Sequence, residues 1–356
     1  MKGKDFTKMK ALSITGVEKI EFVDIDKPKI SENEVLVKVA YCGICGSDIP
    51  RYFDGGVHSF PQIVGHEFSG IIEEIGANVD NVKEGDRVVV APLVPKTDPQ
   101  KWAGGNPSMA TEYSFIGSRQ PGAMAEFVAA PCVNVVKIPD NLSLKEAAVV
   151  EPLTVAIHGI DRLPMEKSGE RVIVYGAGTI GLLTIAALKT RGAGEIICIE
   201  LNQEKEDIAR EMGADIFLNP GEFDVKSWID ANGGADLVVE TAGASITQKQ
   251  CLEVANKRGK IIYLGTMERD VNFKAKEYEQ ILRKELLITG SWQSFSMPFP
   301  GYEWTAAIKY LSSGQIDVKP LITSSYKLED AKIPFLKLRE KNSKEIKVMF
   351  EINGEA

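Results

Sequence analysis

Residues 171–181 read Arg-Val-Ile-Val-Tyr-Gly-Ala-Gly-Thr-Ile-Gly. The run Arg171–Tyr175 is typical of a short buried strand, and the glycines behind it match G-x-G-x-x-G at the start of a predicted helix, 179–191. In that context the first glycine permits a tight turn, the second lets backbone approach a pyrophosphate, and the third lets the helix pack against the strand. The segment therefore predicts a dinucleotide site at a helix N-terminus, formed by Gly176, Gly178, Thr179, Ile180 and Gly181.

A single carboxylate ends the next predicted strand, Ile196–Glu200. Glu200 lies nineteen residues after Gly181, where a carboxylate accepts hydrogen bonds from the ribose hydroxyls of adenosine. The same charge would repel a 2′-phosphate, and residues 201–203, Leu-Asn-Gln, offer no positive charge to hold one. The sequence therefore predicts NAD rather than NADP as the cofactor.

Short apolar strands recur beyond this motif, at Ala235–Glu240, Lys260–Leu264 and Leu286–Gly290. Their alternation with helical segments predicts a parallel sheet that is covered by helices on both faces. Residues 10–90 are instead rich in strands and turns, and roughly the last sixty residues mix helix and strand. We therefore expect a nucleotide-binding domain inserted between two parts of a second domain.

The composition restricts the class of protein. The 356 residues carry a net charge of −8, which argues against nucleic acid and anionic membranes as partners. No apolar run approaches the roughly 20 residues that a bilayer span needs, and the polar, basic start of the chain does not resemble a secretion signal. Five scattered cysteines, an odd number, indicate a reducing compartment rather than a disulfide framework. We expect a cytoplasmic globular protein that acts on small molecules.

Two segments near the start of the chain carry residue types that bind metals. They are Cys42-Gly43-Ile44-Cys45-Gly46-Ser47-Asp48 and Gly65-His66-Glu67. Cysteine, histidine and glutamate all bind zinc, but the C-x-x-C spacing also fits a redox pair or half of a structural zinc site. No second C-x-x-C follows, so a four-cysteine site made of two such pairs is excluded. Spacing alone leaves a catalytic metal site, a redox pair and ordinary core residues open.

Several motifs resemble the zinc-dependent medium-chain alcohol and polyol dehydrogenases, and the likeness runs through nearly the whole chain. The broad motifs are Gly43–Asp48, Gly65–Gly70, Glu84–Val88 and Glu151–Leu153. Finer motifs, which resemble the branch of the family that acts on galactitol 1-phosphate, are Ser47–Arg51, Tyr113–Arg119, Ile281–Leu286 and Gly290–Trp292. The resemblance implies an α/β architecture with a GroES-like β-rich catalytic domain, residues 1–156 and 291–356, and a doubly wound Rossmann domain, residues 157–290.

By this resemblance the ligands of one catalytic zinc are Cys45, His66 and Glu151. Glu67, beside His66, would be a nearby carboxylate or an exchanging ligand. Three protein ligands leave the fourth zinc position open for a substrate hydroxyl, and zinc then stabilises the alkoxide that gives its hydride to NAD. Ser47, two residues beyond Cys45, would take the substrate proton and pass it on.

The resemblance also implies contacts with the cofactor and the substrate. It places Thr154, Gly265, Thr266 and Ser291 around the nicotinamide, and Thr241 beside the adenosine. For a substrate phosphate it indicates Arg51, Arg119 and Lys284, although each is equally well explained as a solvated or ion-paired surface charge. His58 would line the substrate cleft. Many relatives have a histidine proton relay where this chain has Pro50, so the relay must follow another route.

One feature that most members of the family share is missing. They hold a second, structural zinc with four cysteines in a lobe that corresponds to Pro95–Tyr113, and here the lobe contains no cysteine. The four positions carry Lys96, Pro99, Trp102 and Ala110. We therefore expect one zinc per subunit, with the loss affecting the order of the lobe and the assembly more than the chemistry.

Other interpretations stay open. The substrate could be a free polyol, as in sorbitol-type enzymes, a pentitol phosphate, or an amino-acid alcohol such as threonine. One alternative is a zinc-free quinone-reductase relative, which would lack the set Cys45, His66 and Glu151. Another is a non-catalytic NAD-binding protein, and the intact zinc ligands argue against it. We expect an NAD-dependent polyol dehydrogenase that forms a homodimer or homotetramer, with galactitol 1-phosphate as the substrate and tagatose 6-phosphate as the product.

Overall fold

The computed structural model describes residues 7–96, 106–267 and 269–355. Their contacts form two units, which we call the mixed-sheet unit (Met1–Glu151, Phe295–Gly314 and Ile322–Ala356) and the parallel-sheet unit (Pro152–Ser294 and Gln315–Leu321). The parallel-sheet unit extends a few residues beyond the predicted range 157–290 at both ends and includes a short segment from further along the chain. Two of the positions discussed for the missing structural zinc, Pro99 and Trp102, lie outside the described residues.

The strands and helices follow one another along the chain. In order, the strands are β1 (Lys8–Gly16), β2 (Lys19–Asp26), β3 (Glu34–Gly43), β4 (Glu67–Ile75), β5 (Arg87–Val90), β6 (Leu93–Pro95), β7 (Tyr113–Phe115), β8 (Phe127–Pro131), β9 (Val135–Lys137), β10 (Val172–Tyr175), β11 (Ile196–Ile199), β12 (Ile216–Leu218), β13 (Ala235–Glu240), β14 (Ala255–Tyr263), β15 (Leu287–Gly290), β16 (Ile322–Tyr326) and β17 (Lys347–Glu351). The α-helices are α1 (Asp48–Phe53), α2 (Leu144–Ala147), α3 (Val150–Asp161), α4 (Thr179–Thr190), α5 (Glu206–Glu211), α6 (Val225–Asn232), α7 (Ser245–Val254), α8 (Ala275–Tyr278), α9 (Gln280–Lys284), α10 (Tyr302–Ser312) and α11 (Ile333–Arg339).

The central sheet of the mixed-sheet unit has the strand order β16-β17-β3-β4-β5-β9 in the described residues, with β8 also paired to β3. Its longest strand, β3, is buried along most of its length because Val35, Val37 and Val39 face the core without exposure. At the end of β3, Gly43 lies opposite Met349 of β17 on one side and opposite Glu67 of β4 on the other. Sheet pairing therefore brings three distant parts of the chain together at this point.

The parallel-sheet unit has the strand order β12-β11-β10-β13-β14-β15 in the part of the chain that the structure describes. Every residue of β10 and β11 is buried, as expected for strands that are covered on both faces. The order of the strands reverses between β10 and β13, and in open sheets of this kind ligands bind at the carboxyl ends of the strands beside such a reversal. The glycine motif after β10 lies at this reversal, and the predicted doubly wound sheet is confirmed.

The helical stretch that follows β9 is interrupted. It forms α2 and α3 separately, because Pro152 lacks the N–H that would continue the hydrogen-bond ladder into the preceding turn. The break places Glu151 in the first turn of α3. In the described ranges, no helix combines the length and the apolar character that crossing a bilayer requires.

Candidate active site

Three side chains with different ligand atoms converge at the end of β3. The Cys45 sulfur, a ring nitrogen of His66 and a carboxylate oxygen of Glu67 all lie within 4.8 Å of one another. Cys45 is in the turn between β3 and α1, whereas His66 and Glu67 enter β4, which pairs with β3. His66 and Glu67 are buried and Cys45 is half-buried. The sheet thus assembles a sulfur, nitrogen and oxygen donor set from two segments about twenty residues apart.

The turn that carries Cys45 is held by a buried carboxylate. Asp48, which is fully buried, accepts a hydrogen bond from the Cys45 N–H at 3.1 Å and forms an ion pair with Arg51 at 2.7 Å. The Ser47 N–H points to the Cys45 sulfur at 3.5 Å, and Arg51 donates to the Ser47 hydroxyl at 3.0 Å. Asp48 was not among the residues predicted from the sequence, although its three-residue spacing from both Cys45 and Arg51 was a usable signal.

The electrostatics of this cluster fit a divalent cation. Burial, and then the Glu67 and Asp48 carboxylates, raise the pKa of the Cys45 thiol to about 12. Burial likewise raises the pKa of Glu151 to about 8, with His66 acting in the opposite direction. Nδ1 of His66 is buried and has no hydrogen-bond partner among the described residues. Since zinc ligands must be deprotonated and the set contains sulfur, nitrogen and oxygen, these residues fit a zinc ion that supplies the missing positive charge.

Cys45 and His66, two of the three predicted ligands, belong to the converging donors together with Glu67, which was expected as a nearby carboxylate or an exchanging ligand. The role of the third predicted ligand, Glu151, stays a prediction. Glu151 nevertheless interacts electrostatically with each of the three. Glu67 is drawn into the cluster because its backbone pairs with Gly43 at the end of β3, while Glu151 begins a helix after the break at residues 148–149.

The candidates for substrate contacts in the mixed-sheet unit differ in their surroundings. One guanidinium nitrogen of Arg51 donates hydrogen bonds to both Asp48 and Ser47. Arg119 is exposed, stacks on the Tyr113 ring with 4.0 Å between the guanidinium carbon and the ring centre, and donates to the Tyr113 carbonyl. His58 is exposed in the segment between α1 and β4. Both arginines therefore keep donors that a phosphate could use.

Lys284, which the resemblance indicated for a substrate phosphate, has its ammonium group bonded within the protein. Its ammonium group donates to the carbonyl oxygens of Leu252, Glu253 and Ala255 at 2.9, 2.7 and 2.8 Å. These three bonds use every donor of a lysine and cap the last carbonyls of α7. In the structure Lys284 is therefore a helix-capping residue of the parallel-sheet unit.

The glycine motif has the geometry that a pyrophosphate requires. Gly176 has φ +96°, and a side chain at Gly181 would lie 1.9 Å from the Gly176 carbonyl oxygen, so that close packing of α4 on β10 needs both glycines. A side chain at Gly178 would meet no atom within 4 Å. Gly178 is therefore not needed for packing, and its position at the N-terminus of α4, before Thr179 and Ile180, is open. An open helix N-terminus of this kind can receive a phosphate group.

Glu200 is fixed at the end of β11 by the backbone around it. It accepts hydrogen bonds from the N–H groups of Ala177 and Asn202 at 2.8 and 2.9 Å. The ammonium group of Lys205 lies 3.9 Å from the same carboxylate. This lysine lies two residues beyond the segment 201–203 that was considered for a positive charge, and the turn after β11 brings it back to the carboxylate.

The other predicted cofactor residues also belong to the parallel-sheet unit. Thr241, Gly265, Thr266 and Ser291 each follow the carboxyl end of a strand. The Thr241 hydroxyl donates to the Tyr175 carbonyl at 2.7 Å, and the Thr154 hydroxyl, on α3, donates to Ser294 at 2.7 Å. The Ser291 hydroxyl is buried and lacks a hydrogen-bond partner within the described residues. The edge of the sheet thus gathers these residues as a dinucleotide site would require, and Ser291 keeps an unused polar group there.

Comparison with known proteins agrees with this geometry. Residues 31–140 match the family model of the alcohol dehydrogenase GroES-like domain, and residues 179–313 match that of a zinc-binding dehydrogenase. The chain is 36% identical to galactitol 1-phosphate 5-dehydrogenase of Escherichia coli K12, over 82% of this chain and 85% of that protein. It is 32% identical to D-xylulose reductase of Saccharomyces cerevisiae, over 92% and 93% of the two chains.

Solved structures extend the likeness to the whole fold. Galactitol-1-phosphate dehydrogenase from Escherichia coli superposes with a TM-score of 0.90 at 34% identity, covering 96% of this chain and 100% of that one. A zinc-binding dehydrogenase from Sinorhizobium meliloti 1021, bound to NADP, gives 0.87 at 30% identity, over 97% and 99%. An alcohol dehydrogenase from Escherichia coli CFT073, complexed with NADH, gives 0.88 at 26% identity over the same shares. The chain belongs to the zinc-dependent medium-chain dehydrogenase family, among its alcohol and polyol dehydrogenases.

Proposed function

We propose that this protein is a zinc- and NAD-dependent dehydrogenase that oxidises galactitol 1-phosphate to tagatose 6-phosphate. The observation that carries the proposal is the convergence of Cys45, His66 and Glu67 in a chain that also has a complete dinucleotide motif. Relatives that are named for galactitol 1-phosphate, at 36% and 34% identity, support the choice of substrate.

The residues of the chain have separate proposed roles in metal binding and proton transfer. Cys45, His66 and Glu67 would hold zinc, with Glu151 beside them. When bound, zinc supplies a Lewis acid that lowers the pKa of a substrate hydroxyl, and NAD supplies the hydride acceptor. The Ser47 oxygen accepts a hydrogen bond from Arg51, so its second lone pair and its own O–H remain to receive and pass on the substrate proton.

The substrate is tested by a panel of polyols. We expect the highest kcat/KM for galactitol 1-phosphate and lower values for a pentitol phosphate, free galactitol, sorbitol and threonine. A zinc chelator should abolish turnover. Arg119→Ala should raise KM for the phosphorylated substrate by roughly tenfold, because a guanidinium–phosphate contact is worth about 1.5 kcal/mol or more. KM for a free polyol should stay the same.

Two results would redirect the proposal. Equal kcat/KM for free and phosphorylated polyols, together with unchanged KM in Arg119→Ala, would favour a sorbitol-type enzyme. If no alcohol in the panel produces NADH while zinc and NAD still bind, a non-catalytic NAD-binding role is favoured instead.

The preference for NAD over NADP is proposed to rest on Glu200. Glu200→Gln should raise the ratio of kcat/KM for NADP to that for NAD by about 10- to 100-fold, because like charges at close range cost several kcal/mol and Lys205 then faces the 2′-phosphate unopposed. The matched control is Glu204→Gln, an exposed carboxylate of the same segment, which should leave the ratio unchanged. An unchanged ratio in Glu200→Gln would show that the discrimination lies elsewhere.

We also propose a homo-oligomer located in the cytoplasm. The edge strand β15 exposes Leu287 and Ile288, and α9 beside it in the chain exposes Leu282, although such apolar edges are usually paired or covered. All five cysteines are unpaired, which suits a reducing compartment. Sedimentation velocity should give a dimer or tetramer, and a monomer at micromolar concentration would contradict the assembly.

A further inference from the structure

A lysine is buried beside the proposed zinc ligands. Lys347, on β17, is 1% exposed, and its ammonium group donates to Glu67 Oε2 and to the Ile44 carbonyl oxygen, the latter at 3.0 Å. Glu67 itself is 2% exposed. Burying a charge is costly unless it is paired, and a pair inside a protein is often no more stable than apolar residues of the same size. The pair therefore calls for an explanation other than stability.

The backbone is shaped around this ion pair. Gly43 pairs with Glu67 on β4 and with Met349 on β17, so it lies between the strands that carry the two charges. A side chain at Gly43 would lie 2.5 Å from Glu67 Oε2 and 3.3 Å from the Lys347 Cδ. Glycine at this position leaves the room in which the carboxylate and the ammonium group meet, and a larger residue would have to displace the Glu67 carboxylate.

Lys347 also faces the second carboxylate of this cluster. Glu151 lies beside the donor set, where it interacts electrostatically with Lys347 as well as with Cys45, His66 and Glu67. The Lys347 ammonium group is therefore the cation that both carboxylates share.

We propose that Lys347 is a positioning residue of the metal site, an inference that rests on the zinc-dependent function proposed above. By binding Glu67 Oε2, Lys347 leaves Oε1 to the metal, so that Glu67 is a ligand through one oxygen. Its positive charge also attracts Glu151, the second carboxylate beside the zinc ligands. Partners of this kind orient metal ligands, and losing them typically costs 10- to 100-fold in metal affinity.

The experiment compares Lys347→Met, which removes the charge at similar size, with Lys347→Arg, which keeps it. Zinc affinity is measured by competition with a chromogenic chelator, and coordination is followed in the absorption spectrum of the cobalt-substituted protein. We expect Lys347→Met to weaken zinc binding 10- to 100-fold and to change the cobalt bands, and Lys347→Arg to restore most of the affinity. Lys260→Met, which removes the buried lysine of the parallel-sheet unit, should lower the unfolding temperature without changing zinc affinity.

A second comparison protects the test from variants that fold poorly. In Glu67→Gln the partner of Lys347 is neutral, so adding Lys347→Met should cost no more than about twofold in zinc affinity, far less than in the native background. If Lys347→Met alone keeps native zinc affinity and cobalt bands and loses only thermal stability, the ion pair is merely structural and the inference is overturned. If the native protein binds no zinc, the proposed function fails as well, and the two failures are thereby distinguished.

Discussion

Replacing Cys45 with alanine is expected to reduce the zinc content from about one ion per subunit to nearly none and to lower turnover on the order of a thousandfold or more. The substitution removes the sulfur of a three-residue donor set and one of its negative charges. Loss of a partner outside the ligand set already costs 10- to 100-fold in metal affinity, so loss of a ligand should cost more. A metal that polarises the substrate contributes several kcal/mol, and each 1.36 kcal/mol is a factor of ten in rate.

The C-x-x-C spacing provides a matched control. Cys42 is fully buried in the core of the mixed-sheet unit, where its thiol contacts the Gly43 carbonyl at 3.6 Å. Cys42→Ala should therefore keep zinc and activity and lose only about 1 kcal/mol of stability. Equal loss of metal in both variants would indicate a paired cysteine site instead. Elemental analysis of the native protein tests in addition whether it holds one zinc per subunit, and a value of two would contradict the inferred loss of the structural site.

Two alanine substitutions in the glycine motif should fail in opposite ways. In Gly181→Ala the new methyl group would lie 1.9 Å from the Gly176 carbonyl oxygen, so α4 must move away from β10, at a cost of about 3 kcal/mol or more. In Gly178→Ala the methyl group meets no protein atom within 4 Å, and the backbone at φ −82° suits alanine. The second variant should keep native stability but bind NAD on the order of 100-fold more weakly, a loss of about 3 kcal/mol.

Thermal unfolding and NAD titration of the same preparations separate the two effects. Zinc content serves as a control, because each of the two variants should retain the ion as long as it folds. Native NAD affinity in Gly178→Ala would show that the pyrophosphate does not approach this glycine, and the assignment of the motif would have to be abandoned.

The cofactor motif was predictable from sequence because its determinants are local. Three glycines within six residues specify a turn and a close helix–strand contact, and both appear as expected around Gly176 and Gly181. Glu200 followed from the regular length of a strand–helix–strand unit. The route of the next turn is less regular, and for that reason the approach of Lys205 to Glu200 was not foreseen.

The metal cluster was predictable only in its residue types. The carboxylate that joins Cys45 and His66 is determined by how β3 pairs with β4 and by where the helix around Glu151 breaks. The spacing of the residues in the sequence specifies neither of these. Lys284 had been grouped with the arginines because its segment resembles that of polyol-phosphate enzymes, but its three donors are used inside the parallel-sheet unit. Long-range packing, which no short motif specifies, decides each of these cases.

The ion pair between Glu67 and Lys347 also sets an order of events in biosynthesis. The two residues are 280 positions apart, and at about 5 to 20 residues per second a ribosome needs roughly 14 to 56 s to pass from one codon to the other. During that time the parallel-sheet unit is synthesised. The segments that carry Cys45, His66 and Glu67 have already been made, but their sheet still lacks β17. We therefore expect a nascent chain to emerge free of tightly held zinc and to load the ion only after β17 has been made.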